Sequence, residues 1–279
     1  MAKPAPDWRK TVHLIQQLSL PKGREQLGLF TLEGYRSMER ALRNGAPLEE
    51  VLVGEDFVEA PNQRQERIVR EVLDLGVPMR VAPVEEVRRM TGGRGLGNVF
   101  AVMRQPPPPE WEEMFSVEGR KLVVVGWNLG DPGNTGAVIR SALAAGASAF
   151  LAVGTTDPWH PKSVRTSMGS LFAIPILRTS NEEWIERFHD LGVETFATVC
   201  RDAEPLPSVR LHGERMALVM GSEAFGLPDE IANRLKRRVT IPMPSGVDSY
   251  SINAATAVLA YTLMQKVSTN PDMSCKVPT

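Results

Sequence analysis

Residues 106–109 are four consecutive prolines, in the stretch RQPPPPEWEEM (104–114). Proline has no backbone N–H and holds φ near −65°, so neither a helix interior nor a central strand can run through such a stretch, which favours a stiff extended spacer. A chain of 279 residues is long enough to bury two separate cores. The run therefore predicts two domains: an N-terminal α/β domain over 1–104, a proline-rich acidic linker over 105–119, a larger α/β domain over 120–270 and a flexible tail over 271–279.

Before the prolines, apolar spacing alternates between strand and helix periods. LFTLEG reads as a strand, YRSMERALRNG as a helix that puts Met38, Ala41 and Leu42 on one face and stops at Gly45, and EEVLVG as a second strand. QRQERIVREVLDLG then reads as a helix, VPMRVA as a strand, VEEVRRM as a helix and NVFAVM as a last strand. TGGRGLG between the last two is a glycine-rich loop without the Lys-Ser or Lys-Thr that closes a phosphate-binding loop.

After the prolines, KLVVVGW is an unbroken apolar run of the kind buried on both faces of a parallel sheet. DPGNTGAVIRSALAAG (131–146) follows as a turn and a helix, with Asn134 placed as N-cap and Val138, Ile139, Ala142 and Leu143 as its buried face. AFLAVG, the end of SLFAIPIL, VETFATVC, RMALVM and RRVTIPM complete about six mostly parallel strands. NEEWIERFHDLG reads as a helix with Trp184, Ile185 and Phe188 inward, and INAATAVLAYTLMQK as a closing helix apolar on more than one face. In such a sheet the loops beyond the strand ends are the expected ligand sites.

Composition excludes more than it assigns. Cys200 and Cys275 are too few and too far apart for a disulfide framework, which points to a reducing, cytoplasmic setting. No stretch has the length of a signal peptide core or a membrane span, so no membrane is expected. His13, His160, His189 and His212 have no partners at metal-ligand spacing, and no metal is expected. A net charge of −1 does not announce a nucleic-acid binder; RNA contact would rest on local clusters such as KGR (22–24), RRMTGGR (88–94) and RLKRR (234–238), each of which is also an ordinary solvated face. In TDPWHPKSVRTSMGS, Trp159, His160, Lys162, Arg165 and Ser167 combine stacking and phosphate-binding chemistry, with simple packing of Trp159 as the competing role.

Three segments stand out together: DPGNTGAVIRSALAAG, LVMGSEAFGLPDEI and IPMPSGVDSYSINAATAVLAY. In order, spacing and identity they resemble the three motifs of the SpoU/TrmH family of RNA 2′-O-ribose methyltransferases, the SPOUT class, over about residues 120–265. KGREQLGLFTLEGYRSMERALRNGAPLEEVLV is similar, less specifically, to the substrate-binding domain that precedes the catalytic domain in many members. The resemblance implies a C-terminal trefoil knot, a homodimer, S-adenosylmethionine as cofactor and RNA as partner, ribosomal RNA ahead of transfer RNA. It assigns Asn134, Arg140, Glu223, Ser251 and Asn253 to catalysis, and Thr198, Gly221, Ile241, Met243 and Ile252 to the cofactor pocket.

Each residue also has a plain structural explanation. Asn134, Ser251 and Asn253 can cap helices, Arg140 can lie on a solvated face, Glu223 can be a surface acid, and Thr198 can fill a strand. Gly221 would let backbone approach a ligand, and Ile241 and Ile252 would flank an adenine. The third motif departs from the family: its serine lies about two residues farther from Ile-Pro-Met, Ile252 replaces a Leu, and Ser249 competes with Ser251 for the register. Two other functions stand beside methyl transfer: a catalytically silent RNA-binding protein, and a dinucleotide-dependent enzyme, against which the chain lacks G-x-G-x-x-G order.

Overall fold

The computed structural model describes residues 7–94, 96–116 and 119–266. The segment expected as a tail, with Cys275, lies outside the described residues. Contacts divide the chain into two units, Met1–Pro107 with Trp159–Ala173, and Pro108–Pro158 with Ile174–Thr279.

In the first unit, α1 (Trp8–Leu18) and α2 (Pro21–Leu27) precede β1 (Leu29–Glu33), α3 (Tyr35–Arg43), β2 (Leu48–Gly54) and α4 (Asp56–Glu59). α5 (Gln63–Asp74), β3 (Met79–Ala82), α6 (Val84–Met90) and β4 (Val99–Arg104) follow. The strands form a mixed sheet in the order β1-β4-β2-β3, with β2 and β3 parallel and the other pairs antiparallel. The sequence reading did not assign α1, although it buries Val12, Ile15 and Leu18 at helical spacing, against a cluster with Leu52, Phe100 and Val102. α5 starts with a full capping box between Asn62 and Gln65, which explains its sharp onset after the loop.

The second unit runs β5 (Lys121–Trp127), α7 (Pro132–Ala144) and β6 (Ala149–Val153). α8 (Pro161–Thr166) belongs to the first unit. The second then continues as β7 (Ile176–Thr179), α9 (Trp184–Asp190), β8 (Glu194–Thr198), β9 (Glu204–Pro205), β10 (Arg215–Met220), α10 (Asp229–Arg234), β11 (Arg237–Thr240) and α11 (Ile252–Gln265). Its seven strands pair in parallel, in the order β7-β6-β5-β10-β8-β11-β9. The strand added to the six expected is the two-residue β9, too short for any periodicity and held to β11 by Arg237 on Glu204. Leu122, Val123, Val124 and Val125 of β5 are fully buried, and Trp184, Ile185 and Phe188 of α9 face the core, as their spacing requires. β10 enters between β5 and β8, so the C-terminal ends of β10, β8 and β11 lie side by side. That arrangement builds the site.

Nothing in the sequence marks 159–173 as part of the first unit; packing does. Trp159 is buried with its ring centroid 4.8 Å from that of Phe30, and Gly169, at φ 85°, lies where a Cβ would come within 2.7 Å of Arg40. Ser167 is fully buried and donates to the Val164 carbonyl, while His160 Nδ1 accepts from the Lys162 amide. An RNA-facing role for Trp159 and Ser167 is thereby set aside. Among the described residues, no helix is long and apolar enough to cross a membrane.

Candidate active site

The site starts at the turn between β5 and α7. Asp131 is the N-cap of α7, its carboxylate accepting from the amides of Gly133 and Asn134, and Pro132 takes the first helical position. This corrects the placement of Asn134 as cap: a Pro suits the first turn because it has no N–H to satisfy, so Asp-Pro sets the start three residues earlier. Asn134 therefore lies inside the first turn with its side chain free for other work. Asp131→Ala is expected to cost about 1 kcal/mol and to lower the melting temperature by about 2–4 °C, read by calorimetry; an unchanged melting point would show that the cap contributes nothing.

The freed amide crosses to a distant segment. Asn134 Nδ2 donates to Glu223 Oε1 at 2.8 Å, joining the first and second motifs over 89 positions of sequence. Glu223 is presented by a tight loop in which Ser222 and Gly226 exchange backbone hydrogen bonds of 3.0 and 2.8 Å, and the Phe225 amide donates to Ser222 Oγ. Gly221 makes this loop possible. A Cβ there would sit 2.3 Å from Gly226 C and Leu227 N, so the close backbone approach it permits is that of its own chain. The β5 end of the site is braced by buried Thr156, whose hydroxyl accepts from the Leu129 amide and donates to the Gly126 carbonyl.

Arg140 lies exposed on α7, with no hydrogen bond or ion pair among the described residues. Ser251 stands at the N-cap position of α11 without capping; its hydroxyl donates to Asn253 Oδ1 at 2.9 Å, and both residues are exposed. Asn134 and Glu223 are thus joined directly, as are Ser251 and Asn253, whereas Arg140 has no hydrogen bond or ion pair to either pair.

Beyond the ends of β8, β10 and β11 lies an open cleft with a volume of about 100 Å³. Of the residues assigned to a cofactor, Thr198, Ile241 and Met243 line it; Gly221 and Ile252 do not. Thr198 Oγ1 donates to the Val219 carbonyl, so its hydroxyl also ties β8 to β10. The remaining walls include Val199, Cys200, Met220, Tyr250, Ala255 and Leu259, which the sequence reading missed. It read VETFATVC and RRVTIPM as strands to their ends. The strands stop at Thr198 and Thr240, and the residues after them turn into the cleft. Of the two competing serines, Ser249 is the one that lines it.

The lining is mostly apolar with a few hydroxyl-bearing residues, Thr198, Thr240, Ser249 and Tyr250, which suits an adenosyl group and a thioether chain. Among the described residues no cluster of His, Cys, Asp or Glu is arranged to hold a metal ion.

The model of the SpoU rRNA Methylase family matches residues 121–261, and that of the MRM3-like substrate binding domain matches residues 9–86. The 23S rRNA (guanosine(2553)-2'-O)-methyltransferase RlmP of Bacillus subtilis (strain 168) is 26% identical over 258 residues, 92% of this chain and 94% of that protein. The crystal structure of an AdoMet-bound rRNA methyltransferase from Sinorhizobium meliloti matches with TM-score 0.78 and 27% identity, covering 93% of this chain and 95% of that one. An RNA 2'-O ribose methyltransferase structure matches with TM-score 0.75 and 28% identity over 92% of this chain and 95% of its own.

Proposed function

The chain belongs to the SpoU rRNA methylase family, and from that premise we propose that it methylates a ribose 2′-hydroxyl in 23S ribosomal RNA, using S-adenosylmethionine. The observation that carries this reading is the Asn134–Glu223 hydrogen bond: two polar side chains from separate motifs meet beyond the ends of parallel strands. Relatives spanning nine tenths of the chain, named for ribosomal RNA, favour that substrate over transfer RNA.

Bound in the cleft, the cofactor supplies an electrophilic methyl on a sulfonium. Thr198, Ile241 and Met243 would hold it, together with Ser249 and Tyr250, which line the same cleft; Ile252 and Gly221 would act one step back, Gly221 by shaping the loop that carries Glu223. Glu223 fixes the Asn134 amide, which positions the ribose. Arg140 is a poor base because a guanidinium stays protonated; it clamps the neighbouring phosphate and lowers the hydroxyl pKa electrostatically, and the proton leaves to a phosphate oxygen or water. Ser251 and Asn253, paired with each other, order the loop against the ribose. The test is transfer of tritiated methyl from S-adenosylmethionine to 23S rRNA from a strain lacking the protein, with mapping of the modified ribose. Tight RNA and cofactor binding without incorporation would replace this reading by that of a silent RNA-binding protein.

A homodimer, a trefoil-knotted C-terminal segment and cytoplasmic residence belong to the same proposal. Val258 and Tyr261 leave apolar surface exposed on α11, and a second copy would cover it. Tyr261→Glu is expected to convert a dimer into a monomer in sedimentation equilibrium; a monomeric wild-type protein would end the dimer proposal.

A further inference from the structure

A second cavity lies wholly within the first unit, lined by Gly34, Tyr35, Arg36, Ser37, Arg64 and Arg165 among others, with a volume of about 400 Å³. Its floor is the start of α3. Gly34 caps this helix with φ 91° and no side-chain hydrogen bond, and the Tyr35 amide donates to the Leu96 carbonyl. The next two amides, of Arg36 and Ser37, have no acceptor among the described residues. Ser37 is 5% exposed, lines the cavity, and its hydroxyl has no partner among the described residues either.

The charges around this floor are arranged to leave positive potential. Glu33 is nearly buried and accepts from Arg94 at 3.0 Å and from Arg165 at 3.2 Å. Glu39 accepts both arms of Arg64 at 2.6 Å, and that hydrogen-bonded guanidinium holds its carboxyl below the usual range. Arg94, Arg165 and Arg64 are thus fixed by two carboxylates, while Arg36, exposed on the first turn, has no ion pair among the described residues. Helix-start amides, a waiting hydroxyl and surplus guanidiniums form the donor set that a phosphate oxygen accepts from.

We propose that this cavity is a phosphodiester-binding subsite: the amides of Arg36 and Ser37, the Ser37 hydroxyl and the Arg36 and Arg165 guanidiniums take one phosphate of the substrate RNA backbone. The inference deepens, and rests on, the RNA-modifying reading above. The subsite positions the strand and reads no base.

The test is filter binding of the full-length protein to purified bacterial 23S rRNA across a series of KCl concentrations. Arg36→Ala is expected to weaken binding about tenfold and to reduce the salt slope by about 0.7–0.9. Arg36→Glu should weaken it further and Arg36→Lys should recover part of the loss, while cofactor affinity stays at the wild-type value in all three. Arg67→Ala, which removes an exposed arginine paired with Glu71 outside the cavity, is the control and should bind normally. Wild-type affinity and slope in Arg36→Glu, an equal loss in Arg67→Ala, or no RNA binding by the wild-type protein would each overturn the subsite. If the Arg36 series behaves as expected and no RNA accepts a methyl group, the subsite stands and the methyl-transfer reading falls.

Discussion

Gly221→Ala is expected to lower the melting temperature by about 6–12 °C, taking about 3 kcal/mol for overpacking against backbone and about 2–4 °C per kcal/mol, and to abolish methyl transfer. The added Cβ would sit 2.3 Å from Gly226 C and Leu227 N, atoms that cannot rotate away as a side chain can. Relief requires the 222–226 loop to open, which breaks the paired Ser222–Gly226 hydrogen bonds and carries Glu223 off Asn134. The effect therefore reaches activity through geometry, although Gly221 itself does not line the cofactor cleft. Calorimetry for stability and tritiated-methyl incorporation for activity check both halves. A variant with wild-type melting and turnover would show that the loop yields without cost.

Arg140→Ala should behave in the opposite way: stability within about 0.5 kcal/mol of wild type, as for other surface substitutions without structural partners, and single-turnover methyl transfer reduced about 10²–10³-fold, the loss typical of one donor to developing charge. Its exposure and its lack of partners among the described residues leave the fold indifferent to it. Cofactor binding by titration calorimetry should be unchanged, because Arg140 does not line the cleft. Arg140→Lys should fall between the two, keeping charge but losing the planar fork that grips a phosphate in two places. Full turnover in Arg140→Ala would remove the cation from the mechanism.

The contrast between these two substitutions reflects what a linear sequence carries. The sequence proposes Arg140 and Asn134 because the first motif keeps them six apart in one local segment. Its own motif proposes Glu223, but nothing in the sequence says that Glu223 bonds Asn134 rather than Arg140. The reason for Gly221 was likewise hidden: its nearest steric neighbour is the loop five residues on, and no spacing rule says that this loop folds back upon it. Asn134 was read as a cap because it is a good one; Asp131 followed by Pro132 is better, and the geometry of the turn decided between them.

By itself, the sequence determined the alternation of strands and helices, the unbroken burial of β5 and the inward face of α9, all of which follow from local periodicity and backbone sterics. Tertiary structure alone decided that β10 lies between β5 and β8, that Val199, Cys200 and Tyr250 line a cleft, and that 159–173 packs with the first unit. Those outcomes depend on which strand ends become neighbours and which surfaces bury one another. Such contacts are set by the free energy of the whole packed chain, and residues far apart in sequence contribute to them without leaving a local mark.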